Sequence, residues 1–236
     1  ARRKQTGDVI ATFAKFADEV GRDNVALMMH TAPDDPEGQD IIAVAKKFKI
    51  DANLIVSNNR VDPGTLNSYY NSCDVTINIA SNEGFGLGTL ESLYAGTPII
   101  VHFTGGLQFQ IGDWWEGRKD FTDQDEMTKL AKKMWNSGKG NWWGVPVFPA
   151  SRSCTGSQQI PYIYDDRVSH EDTVRALVKL YRTPRSERRE LGIRARDWAI
   201  KNFNLKDMIT SWDTVLSEQI DNHRQAGVVR HRVTRI

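Results

Sequence analysis

The chain has 236 residues, 31 Lys and Arg against 30 Asp and Glu, and a net charge of +1. That length holds one large or two small domains, and the charge balance excludes nucleic-acid binding by bulk charge. Composition is that of a globular chain, 39% hydrophobic and 26% charged. No apolar run reaches membrane-spanning length and no signal-peptide pattern opens the sequence. Cys73 and Cys154 make no metal-ligand pattern and fit a reducing, cytoplasmic compartment.

Ala1-Arg2-Arg3-Lys4 runs straight into a helical pattern at Val9, Ile10, Phe13, Ala14, Phe16 and Val20. A parallel-sheet domain should begin with a strand, so the chain reads as a piece of something longer or as one whose beginning is missing. Val25 to Met29 reads as a strand, Ile41 to Phe48 as a helix ending near Lys49, and Leu54-Ile55-Val56 as a short strand. Pro63 suits the first turn of a helix running to about Ser72. Val75 to Ala80 reads as a buried parallel strand, Leu87 to Tyr94 as a helix and Ile99 to Val101 as another strand. This alternation predicts a parallel sheet with helices on both faces. Ligands of such sheets bind beyond the carboxyl ends of the strands, where Glu83 and Gly105-Gly106 fall.

Leu107 to Asp166 breaks the alternation. Trp114, Trp115, Trp142 and Trp143 lie there, and only Asp123 to Trp135 reads as a helix. The segment reads as an irregular, Trp-rich insertion. A buried aromatic cap over the sheet edge is favoured over an acceptor or oligomer surface. Helices return over 169–221, with Ser169 as one N-cap, and with Thr183 as another before Pro184 at a first helical position. The last runs from Asn204 to about Ile220 and puts Ile209, Trp212, Val215 and Leu216 on one face. The tail, 222–236, is basic, with Arg224, Arg230, Arg232 and Arg235. It reads as a solvated terminus, with membrane-surface association as the lesser reading and no nucleic-acid partner.

Between the strand ending at Ala80 and the helix from Leu87 lies Ser81-Asn82-Glu83-Gly84-Phe85-Gly86, with Glu91 one helical turn further on. A glycine turn opening a helix presents free backbone N–H groups and a positive dipole end, which suit phosphate. The two carboxylates can accept hydrogen bonds from sugar or ribose hydroxyls. Together they describe a site for a nucleotide linked to a sugar. The third glycine of a dinucleotide fingerprint stands one residue early, at Gly88, and no Walker-type Gly-Lys-Ser/Thr occurs.

Glu83-Gly84-Phe85-Gly86-Leu87, Glu91 and Ala95-Gly96-Thr97-Pro98-Ile99-Ile100 resemble the E-x7-E signature of retaining glycosyltransferases of the GT-B fold, the glycosyl transferases group 1. Leu66 to Val75 looks like that family's L-x-x-x-Y-x-x-A-D-V stretch, Thr104-Gly105-Gly106 like its glycine turn, and Lys4 with Phe13-Ala14-Lys15 like its basic loop and first helix. The resemblance implies that residues 1–236 are the carboxy-terminal donor-binding half of a GT-B fold, Rossmann-like, with the amino-terminal acceptor domain absent. It implies a UDP- or GDP-linked sugar as donor, an unknown acceptor, hexosyl transfer with retention, and neither cofactor nor metal. The chain alone would then be incomplete for catalysis.

The resemblance further implies that Glu83 holds donor-sugar hydroxyls and that Glu91 holds the ribose. The amides of Gly84, Phe85, Gly86 and Leu87, with Gly105 and Gly106, would meet sugar and phosphate oxygens. Thr89 would add a hydroxyl. Lys4 with Arg3 or Arg2 would neutralise the leaving diphosphate. Phe109 stands where the family often has an acid, so that role does not transfer. His102 reads as a strand-end histidine rather than a catalytic base. The competing reading is a non-catalytic module that binds a sugar nucleotide or glycan.

Overall fold

The computed structural model describes residues 2–116 and 123–226. The chain divides into two units, Ala1–Arg196 and Asp197–Ile236. In the first, a 3-10 turn at Arg2–Lys4 precedes α1 (Thr6–Val20). The apolar stripe of α1 buries Val9, Ile10, Phe13 and Phe16, the spacing of a helix packed on one face. Then come β1 (Leu27–His30), α2 (Ile41–Lys47), β2 (Leu54–Ser57) and α3 (Pro63–Ser72). Asp40 caps α2, and Asp62 caps α3 ahead of Pro63; both satisfy N–H groups that a first turn leaves without helical partners. β3 (Thr76–Asn78), α4 (Leu87–Ala95) and β4 (Ile99–His102) follow.

β1 runs parallel to β2 with Leu27 opposite Leu54, and β3 runs parallel to β4 with Thr76 opposite Ile99. All four positions of β4 are buried, as a strand covered on both faces requires. Against these strands α1 packs with α6 (His170–Arg182) around a core of Ile10, Phe13, Ala17, Ile79, Ile100, Val174 and Leu177. The α/β class and the helix–strand order expected from sequence are both present.

The segment 107–166 holds more regular structure than its sequence indicates. The predicted helix is α5 (Gln124–Asn136), capped by Asp123. Beyond it, β5 (Gly144–Val147) pairs parallel with β4, Ile99 opposite Gly144. Pro146 disguises this strand, because proline cannot donate to a ladder and a run containing it reads as non-strand. β5 is an end strand, where proline is tolerated. β6 (Pro149–Cys154) and β7 (Tyr164–Val168) form an antiparallel hairpin. Its polar Ser151-Arg152-Ser153 stretch offers no apolar alternation to read. Of the four tryptophans, two are buried as a cap requires, and Trp115 and Trp142 are only partly buried. Trp114 and Trp143 are buried, and their indole N–H groups donate to the Gln108 and Gln110 carbonyls at 2.7 Å.

Ser169 caps α6 as expected, accepting from the Asp172 amide. Thr183 does not cap the next helix. Its hydroxyl donates back to the Lys179 carbonyl, and the Pro184 carbonyl accepts from Arg188, so α7 (Arg185–Asn202) starts one residue later than expected. In the second unit α8 runs from Leu205 to Ala226, past the expected end near Ile220, with Asn204 accepting from the Asp207 amide. Arg224 therefore lies in a helix. The rest of the basic tail, 227–236, lies outside the described residues. No described helix is long and apolar enough to cross a membrane.

Candidate functional site

The turn between β3 and α4 lies at the carboxyl edge of the sheet. Gly84, Phe85, Leu87 and Gly88 are exposed, and open space surrounds Gly84. Gly86 caps α4 with φ of 92°, a left-handed conformation that a side chain would strain. The amides of Leu87 and Gly88 open the helix, so no carbonyl one turn earlier takes them.

Three predicted residues meet here from opposite ends of the family-like stretch. Glu83 is 7% exposed and pairs with Arg3 Nη1 at 2.7 Å and with Lys4 Nζ. The cations stay 45% and 44% exposed, so the carboxylate lies inside and the positive charges face solvent. Burial pushes the Glu83 carboxyl up, but the hydrogen bonds from Lys4 and Arg3 outweigh it and hold its pKa below the ordinary 4.5. The Arg3 carbonyl accepts from the Ser81 amide at 2.8 Å, which ties the basic turn to the glycine turn.

Gly105 and Gly106 sit beneath this turn. The Gly106 amide donates to the Glu83 carbonyl at 2.8 Å. A side chain at Gly105 would overlap the Glu83 carbonyl, and one at Gly106 would overlap the Gly84 carbonyl. Their glycine identity thus serves close backbone packing, and the Gly106 amide is already used. Thr89 also turns inward. It is 1% exposed, and its hydroxyl accepts from Asn78 at 3.2 Å. Glu91 lies four residues beyond Leu87 on the same exposed face of α4 and accepts from the Tyr70 hydroxyl at 2.9 Å. Burial first, then the bond to Glu91, pushes the Tyr70 phenol well above its usual range, so it stays a donor.

Four supporting residues were not singled out from sequence. Tyr70 holds Glu91; it stands in the L-x-x-x-Y stretch, so a signal existed. Gln110 donates to the Phe85 carbonyl at 2.6 Å. One Asp165 oxygen accepts from both Ser81 Oγ and Asn82 Nδ2 at 3.0 Å. Asp166, 3% exposed, accepts from Thr104 and Arg152. These last three lie far along the chain, and only the β6–β7 hairpin and the turn after β4 bring them in. His102 is fully buried, with Nδ1 2.8 Å from the Ala80 carbonyl and its pKa pushed down by burial, a strand-end residue as expected.

A family profile described as glycosyl transferases group 1 matches residues 2–136, more than half of the chain and all of the turn. The chain belongs to the glycosyl transferases group 1 family. Trehalose synthase of Rubrobacter xylanophilus is 30% identical over 106 residues, 44% of this chain and 26% of that protein. Trehalose synthase of Pyrococcus horikoshii is 29% identical over 131 residues, 54% of this chain and 31% of that one. Among solved structures, sucrose-phosphate synthase from Thermosynechococcus elongatus superposes with a TM-score of 0.65 at 17% identity, over 94% of this chain and 44% of that chain. Anabaena HepE in complex with UDP and glucose gives 0.61 at 11% identity, over 92% and 46%. The chain therefore spans less than half the length of these relatives, and at such identities the structural likeness is one of fold, that of GT-B glycosyltransferases.

Proposed function

We propose that this member of the glycosyl transferases group 1 binds a nucleoside diphosphate sugar, UDP- or GDP-linked, for transfer of the sugar with retention. The observation that carries it is the meeting of Arg3, Lys4 and Glu83 at an open glycine turn that starts a helix. The bound UDP and glucose of the Anabaena relative favour a donor of this class. Exposed Arg3 and Lys4 meet the diphosphate from the solvent side and stabilise the charge it gains as its bond to the anomeric carbon breaks. They do the work that a divalent metal does in other transferases. Drawing them toward phosphate uncovers Glu83 for the sugar hydroxyls, and Glu91 takes the ribose. Residues 1–236 then form the donor half of a two-domain cleft. Calorimetric titration of UDP- and GDP-glucose in EDTA is expected to show binding of one of them. No binding, or binding only after a divalent ion is restored, counts against the reading.

A further inference from the structure

Gln110 ends the 3-10 turn Gly105–Gln110 that follows β4. It is 1% exposed, and its Nε2 donates to the Phe85 carbonyl at 2.6 Å. Its own backbone carbonyl accepts from the buried indole of Trp143 at 2.7 Å, so the Trp-rich segment fixes where the carboxamide stands. The other end of that carboxamide, Oε1, is buried and has no hydrogen-bond partner. Such an orphan costs stability, and an apolar side chain of the same shape avoids the cost. The value of a glutamine here therefore lies in what its other end does to Phe85.

A trans peptide joins Phe85 to Gly86, and in a trans peptide the N–H points away from the carbonyl. With the Phe85 carbonyl drawn to Gln110, the Gly86 N–H points away from Gln110. Gly86 is buried, yet its N–H donates to no group among the described residues. Buried backbone N–H groups are nearly always paired. This one lies between exposed Phe85 and exposed Leu87, so a ligand is the acceptor it lacks. The φ of 92° at Gly86 belongs to the same orientation. Turning the peptide over carries that φ to about −90°, as between the two common β-turn types, and sends the N–H toward Gln110, where a rotated carboxamide presents Oε1 to accept it. We propose that Gln110 is a positioning residue for the donor. It holds the Phe85–Gly86 peptide with its carbonyl inward, so that the Gly86 N–H faces an oxygen of the sugar nucleotide. The inference rests on the donor-binding reading of the turn and adds to it the group that selects the turn's binding orientation.

The test compares the full chain as wild type, Gln110→Met and Gln108→Met. Gln108 is buried in the same 3-10 turn, but its side chain pairs with Gln124 rather than with Phe85. In calorimetric titrations with UDP-glucose and GDP-glucose, Gln110→Met is expected to weaken whichever of them the wild type binds by roughly ten- to hundredfold, and Gln108→Met to bind as the wild type does. The thermal midpoint of Gln110→Met is expected to be no lower than that of Gln108→Met. In the wild type, NMR with labelled glycine should show the Gly86 amide resonance shifting, and its exchange slowing by roughly tenfold or more, as the sugar nucleotide is added. Equal affinity of Gln110→Met and wild type, or an equal loss in Gln108→Met, overturns the inference and leaves the donor reading standing. So does a midpoint for Gln110→Met well below that of Gln108→Met, or a Gly86 amide that the bound ligand leaves unchanged. Failure of the wild type to bind either sugar nucleotide overturns both.

Discussion

At the scale of residues the site turns on one inward carboxylate under two outward cations. Removing a cation leaves the burial of Glu83 less opposed. Lys4→Met is therefore expected to raise the Glu83 pKa and to weaken UDP by about 1.5–3 kcal/mol, the worth of a hydrogen bond to a charged group, in calorimetric titrations across pH. Unchanged affinity excludes Lys4 from the diphosphate. The sign of the pH effect follows from the depressed pKa. The pairing contributes stability above pH 4.5, the ordinary carboxyl value, and loses it as pH falls through the lower folded value. Glu83→Gln should flatten that acid limb in thermal unfolding scans between neutral and acid pH; an identical limb in wild type and variant removes the linkage. For Glu91, alanine should weaken UDP itself by about 1–3 kcal/mol, while Glu83→Ala should weaken the sugar nucleotide far more than UDP. Equal losses on both ligands would end the division of labour. Both glutamates were legible because strand, glycine turn and helix follow one another in sequence. Asp165 and Gln110 were not, because nothing local marks a side chain whose partner stands 25 to 84 residues away.

At the scale of elements the site is two glycine turns pressed together, with the β6–β7 hairpin beside them. Gly106→Ala puts a methyl group onto the Gly84 carbonyl and the Phe85 Cα, both backbone atoms that no side-chain rotation can clear. It should cost about 1–3 kcal/mol, as overpacking does, and should also weaken the donor, because the displaced backbone is the proposed binding turn. Chemical denaturation and donor titration read the two effects, and a variant of wild-type stability and affinity would show that the turns are not in contact. Asp166 links β7 to Thr104 and Arg152 while its amide bonds the Ser81 carbonyl. The sequence pattern revealed the four parallel strands whose runs are apolar and free of proline. It hid β5 behind Pro146, and it hid the hairpin because β6 and β7 are mostly exposed and carry no apolar period. The hairpin thus reads poorly because it gains little from burial, whereas β5 is buried throughout and is hidden by its proline alone, and Asp165 and Asp166 come from the hairpin.

At the scale of the molecule the proposed function makes these residues one half of a cleft. The proposed donor site draws on groups within Arg2–Glu91, so the chain is expected to bind a sugar nucleotide by itself. Transfer needs the acceptor held against the anomeric carbon, and that positioning supplies a large share of the rate. The chain spans less than half of each relative compared. In the second unit, α8 buries none of its 22 residues and leaves Met208, Ile209, Trp212 and Val215 about half exposed or more. A helix without buried apolar contacts has little to hold it against opening. Two measurements on residues 1–236 follow. Incubation with UDP- and GDP-sugars and a broad acceptor panel should give binding without transfer. Amide exchange should run fast through Leu205–Ala226 while α1, with eight buried residues, exchanges slowly. Efficient transfer by these residues alone would place the acceptor site within them, and slow exchange along α8 would show that it is held without any further partner.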